Sequence, residues 1–289
     1  MNGNSIPLVA ALLLTVANCG AQAAGNKNKA ATPSIQKKEA TPKDEFLLLQ
    51  KAATQGDAEA QYNLGWMYSK GEGVLQDSAK SFEWLNKAGT QGQVEAQFFL
   101  GVMYAKGEGI TKDSAKAIEW FQKAATQGHA ESQFFLGVIY AYGEGLPKDL
   151  AKAIEWYQKA AAQGHTEAQY NLGWMYSNGE GVTQDAVKSF EWFQKAAAQQ
   201  HSEAQYNLGL MYRDGEGVPK DSAKAIEWFQ KAAAQQHDEA QYSLGLMYRD
   251  GEGVPKDTAK AIEWLQKAAI QGHAKAQFLL KTRVNPEFI

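Results

Sequence analysis

Five histidines, His129, His165, His201, His237 and His273, recur at intervals of 36 residues, and the chain has no others. Such a row invites a metal. Zinc, however, needs nitrogen ligands at about 2.0–2.1 Å, whereas equivalent atoms on successive packed helices stand on the order of 10 Å apart. The spacing predicts a repeated turn or helix-start role instead, which Asp57 and Gln93 fill at the two preceding positions of the series. Ser34-Ile35-Gln36-Lys37 fits the S-x-x-K pattern of penicillin-recognising enzymes, but neither S-D-N nor K-T-G accompanies it. Glu-Trp pairs end at Trp84, Trp120, Trp156, Trp192, Trp228 and Trp264, and Gly-Glu-Gly begins at Gly71, Gly107, Gly143, Gly179, Gly215 and Gly251. No G-K-[ST] follows these glycines, so they are not phosphate loops. An acid–base pair or metal set occurring once would break the repeat symmetry, and none does. The expectation is a protein without catalysis, cofactor or metal.

The elements that carry these residues are set by the period. Leu-Gly recurs at Gly65, Gly101, Gly137, Gly173, Gly209 and Gly245, in step with the two other markers, which divides the chain into repeats 57–92, 93–128, 129–164, 165–200, 201–236 and 237–272. In 201–236, Ala204, Leu208, Met211 and Tyr212 lie at i, i+4, i+7, i+8, one face of a helix. Gly215 ends it, Asp221 caps the next helix, and Ser222 to Gln235 form that second helix. Within it Glu227 and Lys231 are spaced for an i,i+4 pair. Gly209 costs about 1 kcal/mol against alanine inside a helix, so its recurrence predicts close helix contact, with Trp228 as the bulky knob between Ala225 and Ala232. A helix pair of this kind buries its apolar face only against its neighbours. The fold class is therefore all-α, an α-solenoid of six helix-turn-helix repeats within 44–289. A partial second helix (45–55) precedes them, and a partial first helix (274–281) follows.

The run Ala204, Leu208, Gly209, Tyr212, Gly215, Gly217, Val218, Asp221, Lys224, Ala225, Trp228, Lys231, Ala232, Ala233 resembles the Sel-one-like repeat, a relative of the tetratricopeptide repeat with a longer unit. The likeness covers about 45–281. It implies a right-handed superhelix whose members act as adaptors in protein complexes and are often exported in bacteria. The cysteine-rich branch of that family staples each helix pair with a disulfide. No repeat here contains a cysteine, since the single one is Cys19.

Residues 6–17 are apolar and followed by Ala21-Gln22-Ala23, which predicts a signal peptide over 1–23 with cleavage before Ala24. Val16-Ala17-Asn18-Cys19 offers a second route, lipidation at Cys19 after lipoprotein processing. Residues 24–43, rich in Lys, Ala, Thr and Pro, read as a disordered tether. The chain is thus expected to be exported, periplasmic or secreted, with an outer-membrane lipoprotein the lesser alternative. A net charge of −3 gives no general attraction to nucleic acid. The helix face opposite the core then predicts a groove for a protein or peptide partner: Tyr62, Trp66, Phe98, Val102, Phe134, Val138, Tyr142, Tyr170, Trp174, Tyr206 and Tyr242, with Arg213 and Arg249 at a charged end. The alternative function is an envelope enzyme or glycan-binding protein, such as the β-lactamase-like activity proposed for the cysteine-rich branch.

Overall fold

The computed structural model describes residues 42–282, with side chains from Phe46 onward. The expected signal peptide, Cys19 and most of the tether lie outside the described residues. Fourteen helices and no strand are found among the described residues. The first helices of the repeats, here A helices, are α2 (Ala58–Lys70), α4 (Val94–Lys106), α6 (Ala130–Tyr142), α8 (Thr166–Asn178), α10 (Ser202–Asp214) and α12 (Asp238–Asp250). The second, or B, helices are α3 (Ser78–Thr90), α5 (Ser114–Thr126), α7 (Leu150–Ala162), α9 (Ala186–Ala198), α11 (Ser222–Ala234) and α13 (Thr258–Ile270). A B helix, α1 (Pro42–Thr54), precedes them and an A helix, α14 (Ala274–Thr282), follows. The fold is of the all-α solenoid class. It forms two compact units, residues up to Ala160 and residues from Ala161, and in each the substantial helix contacts join helices adjacent in sequence.

Each helix starts and stops where its sequence tells it to. The B helices open on an aspartate whose Oδ1 accepts the backbone N–H three residues on, at 3.0 Å in each of the six. The A helices end on the first glycine of Gly-Glu-Gly, left-handed at φ 70–78°. The second glycine has another task. A Cβ on Gly109 would strike the Ser78 carbonyl, and one on Gly217 would strike that of Ala186, so this glycine seats each loop on the preceding B helix.

The close contact predicted at Leu-Gly is present, but its knob is not the tryptophan. A Cβ on Gly65, Gly101, Gly173 or Gly245 would lie 2.6–2.7 Å from Leu85, Phe121, Phe193 or Leu265, the residue after each tryptophan. Tyr157 and Phe229 fill the notches at Gly137 and Gly209 in the same way. These knobs are at most 5% exposed, while only Trp120 of the six tryptophans is buried. The reason is phase: one step along a helix turns a side chain by about 100°, which carries the tryptophan off the helix-pair axis. Its ring packs across the seam to the preceding repeat, as Trp228 does on the cluster of Phe193, Ala204 and Leu208. The expected Glu–Lys pair is likewise displaced. Lysines 87, 123, 159, 195, 231 and 267 lie 3.7–4.1 Å over the tryptophan three residues earlier, and only Lys267 also reaches its glutamate, Glu263, at 2.7 Å among the described residues.

A buried polar ladder threads the stack. Gln61, Gln97, Gln133, Gln169, Gln205 and Gln241 are 4–5% exposed. Each donates through Nε2 to a carbonyl at the end of the preceding B helix, at 3.0–3.3 Å. Five of them accept from the glutamine that ends their own B helix, at 2.7–2.9 Å. These helix-terminal carbonyls also accept the turn N–H three residues on, at 3.0–3.1 Å, so the glutamine occupies the second lone pair of each inside the protein.

Candidate interaction face

The histidine row proves to be a set of seams. His129, His165, His201 and His237 are the N-caps of α6, α8, α10 and α12, and Nδ1 accepts the backbone N–H three residues on at 3.2–3.3 Å. His273 does the same for α14 at 3.1 Å. An Nδ1 that accepts carries no proton, so the neutral ring holds its proton on Nε2. That nitrogen faces the preceding repeat: His237 Nε2 lies 3.1 Å from Glu203 Oε2, and His273 Nε2 3.2 Å from Glu239 Oε2. Four of the five rings also lie against an aromatic of the preceding A helix, with centroids 4.9 Å apart for the tilted pair Phe98–His129 and 4.5, 4.7 and 4.4 Å for the stacked pairs Tyr170–His201, Tyr206–His237 and Tyr242–His273. Burial pushes the His201 imidazole below its ordinary value, and contact with His237 holds the Glu203 carboxyl below its own. Among the described residues no cluster of three or more His, Cys, Asp or Glu side chains is arranged to hold a metal.

These seams redraw the predicted groove. Phe98, Val102, Phe134 and Val138 are 2–5% exposed and offer a partner no surface. Phe98 is enclosed by Phe99, Phe121, His129 and Phe135, and Phe134 by Phe135 and Tyr157. Tyr170, Tyr206 and Tyr242 are half-buried by their histidines. Tyr62 and Trp66 are half-buried against Phe99, at 6.2 and 5.0 Å. Tyr142 and Trp174 remain exposed. Arg213 and Arg249 do not form a cationic end, because each grips the next residue with two hydrogen bonds, Arg213 to Asp214 at 2.8 Å and Arg249 to Asp250 at 2.7 Å. The pairing raises each guanidinium and lowers each carboxylate from its usual range, and the local charge cancels.

One register position on this face was missed from sequence, and it decides the rest. It holds Asn63, Phe99, Phe135, Asn171, Asn207 and Ser243 in successive repeats, and that variability was the available signal. In the first unit Trp66 rests on Phe99 and carries Lys70 Nζ at 4.7 Å. Beneath it Leu85 is smaller than the ring that fills repeats 2–5, which leaves a cavity of about 40 Å³ lined by Trp66, Lys70, Ser81, Leu85, Phe99 and Val102. Ser81 Oγ there has no hydrogen-bond partner among the described residues, whereas its equivalent Ser189 donates to the Gly173 carbonyl at 2.8 Å. In the second unit the equivalents of Phe99 and Lys70 are Asn207 and Asn178. Trp174 makes no ring or cation contact among the described residues and is 37% exposed, the one exposed tryptophan among them.

Capped A helices, glycine notches, B-helix knobs and histidine seams repeated in register define a helix-pair repeat protein built as a scaffold. The chain belongs to the Sel1 repeat family, whose model matches residues 46–57, 58–93, 94–129, 130–165, 166–201, 202–237 and 238–273. Among solved structures it is similar to a protective antigen of uropathogenic Escherichia coli strains displaying an SLR fold, at 39% identity and a TM-score of 0.79 over 80% of this chain. The chain spans about half the length of that antigen, 50% of which is covered. It is also similar to a Sel1 repeat protein from Oxalobacter formigenes, at 32% identity and a TM-score of 0.66, over 79% of this chain and 99% of the other. No curated protein matches the sequence. A Sel1 repeat scaffold points to protein–protein interaction as the general role.

Proposed function

We propose that the chain is an exported, non-catalytic adaptor that captures a protein or peptide partner on its A-helix face, with Trp174 as principal anchor. The observation that supports this reading is the exposure of Trp174 at a position where Trp66, its sequence twin, is covered by Phe99 and Lys70. Binding energy concentrates on large aromatic residues that lose water on association, and a tryptophan left open by its own fold is such a residue. Near it in the helix register, Asn171 and Ser177 supply hydrogen-bonding groups that suit a peptide backbone. Export rests on the apolar segment and Ala21-Gln22-Ala23. A mature N-terminus at Ala24, or an acylated Cys19, is the expected result of mass spectrometry.

The test is capture of partners from native extracts by the full chain and by Trp174→Ala, with bound proteins quantified by mass spectrometry. A specific set lost with Trp174→Ala and retained with Trp192→Ala, a B-helix control, is expected. Retention of the whole set by Trp174→Ala would move recognition away from this face.

A further inference from the structure

The chain covers its tryptophan faces with its own lysines. Each of the six B-helix tryptophans carries the ammonium of the lysine three residues on, at 3.7–4.1 Å from the ring centre. Trp66 carries Lys70 at 4.7 Å. The sequence holds eight tryptophans, and the eighth is Trp174. Its ring is exposed and meets no cation among the described residues.

The cause is one residue, four positions on. Where α2 places Lys70 after Trp66, α8 places Asn178 after Trp174. The asparagine is short and uncharged, and its Nδ2 donates to the Trp174 carbonyl at 2.9 Å, which ties it to its own helix. Asn207, the equivalent of Phe99, is tied in the same way, with Nδ2 donating to the Glu203 carbonyl at 2.9 Å. Neither amide supplies the positive charge that an indole face attracts.

The charge on the surrounding face has one sign. Helix α8 contains no lysine or arginine, and the single one in α10, Arg213, is held by Asp214 at 2.8 Å. Glu167 lies seven residues before Trp174, on the same side of α8, and Glu203 holds the matching position in α10. Both carboxylates are exposed. They lie 3.6 Å from His165 and 3.1 Å from His237. The Nδ1 atoms of those histidines accept backbone N–H groups, so the rings are neutral and cancel none of the negative charge.

We propose that Trp174 receives a lysine or arginine side chain, and that the partner held on the A-helix face of the C-terminal unit presents a basic segment to it. This rests on the reading of Trp174 as the anchor and names the chemistry that the anchor takes. The partner's cation occupies the ring face that Lys70 covers on Trp66, while Glu167 and Glu203 draw further basic residues of the same segment. A cation over an exposed indole strengthens binding about two- to five-fold, and the glutamates add an attraction that salt screens.

The probe is the peptide acetyl-Gly-Lys-Gly-Lys-Gly-amide, with a counterpart in which norleucine keeps the apolar stem of each lysine and removes its charge. Binding to the full chain is followed by NMR from the backbone amides of α8 and from the peptide side chains. The native chain is expected to prefer the lysine peptide, whose methylene protons beside the ammonium should shift upfield under the indole ring current. Trp174→Leu copies Leu210 and Leu246 and keeps both glutamates. It should reduce the preference about two- to five-fold and abolish the upfield shift. Asn178→Lys, which copies Lys70, should abolish that shift too, because the chain's own ammonium then covers the ring. Equal binding of the two peptides, binding of neither at millimolar concentration, or a preference unchanged in Trp174→Leu would each overturn the proposal. Partner capture that is lost with Trp174→Ala alongside any of those results would keep the anchor and remove its cation, so the two readings fail separately.

Discussion

Residues 61–69 and 169–177 are the same string, QYNLGWMYS, and they build the same helix turn in two different settings. In the N-terminal unit Trp66 is roofed by Lys70 and floored by Phe99; in the C-terminal unit the corresponding residues are Asn178 and Asn207, and Trp174 is 37% exposed. What a residue does in a repeat protein is therefore fixed by the neighbouring repeat as much as by its own. The units also differ in their caps. Asp57, Gln93 and His129 open the A helices of the first, and His165, His201, His237 and His273 those of the second.

The largest effect tests what the two units share. Phe121→Ala and Phe193→Ala empty equivalent glycine notches and should each cost about 3–5 kcal/mol in urea unfolding. A much smaller loss in one unit would mean that its notch is not closed by its knob. Next comes the contrast itself. Trp66→Ala should destabilise by about 1–2 kcal/mol, while Trp174→Ala should stay within about 0.5 kcal/mol. Phe99→Asn should bring Trp66 toward the Trp174 state, read as a red shift in the emission lost on Trp66→Phe. Equal costs for the two tryptophans would remove the distinction on which the anchor assignment depends.

Acid should separate the units further. The His201 imidazole is held below its unfolded value mainly by burial, against the opposing pull of Glu167 and Glu203, with His237 adding to the depression. A base with a depressed folded value binds more protons when unfolded, so its contribution is present above the unfolded value and is lost as pH falls through it. Protonation at Nδ1 also removes the acceptor for the Ala204 N–H. Glu203, depressed as an acid, keeps its contribution until pH drops below the ordinary carboxylate range. Between neutrality and mildly acidic pH the histidine effect therefore acts alone. The urea midpoint of the native chain should fall over that window, and His201→Gln, which copies the cap of the second repeat, should flatten the fall. An unchanged slope would leave the cap without a role in acid sensitivity.

The smallest effect concerns the turn before the A helices. Gln200 and Gln236 adopt φ of 66° and 64° where other repeats place Gly56, Gly92, Gly128, Gly164 and Gly272. A side chain in that region costs about 1 kcal/mol relative to glycine. Gln200→Gly and Gln236→Gly should each raise stability of the C-terminal unit by about 0.5–1 kcal/mol in thermal or urea unfolding. A loss would show that the glutamine side chains make up the strain elsewhere.

Fold and site were unequally legible. Period, helix pairing, caps and the close approach at Leu-Gly follow from local chemistry that one repeat contains, and all are present. The buried Gln61 series was not legible, because its partners are backbone carbonyls and a second glutamine that come within reach only once helices are packed. The face was misread at Phe98 and Phe134 for a related reason. A helical wheel places them away from their own repeat's core, and only the histidine or ring of an adjoining element shows them to be covered. Trp66 and Trp174 share one sequence setting, and what separates them is a residue in the next repeat, Phe99 against Asn207.

The glycine notch has a genetic consequence. Every A helix of the six repeats offers the same socket and every B helix a knob that fits it, while caps and turns at each boundary are interchangeable. Unequal recombination between any two of these near-identical segments would excise or duplicate a whole repeat and leave a seam already proven elsewhere in the chain. Length in this protein is thus adjustable in steps of one repeat, because any knob meets any socket in the same register.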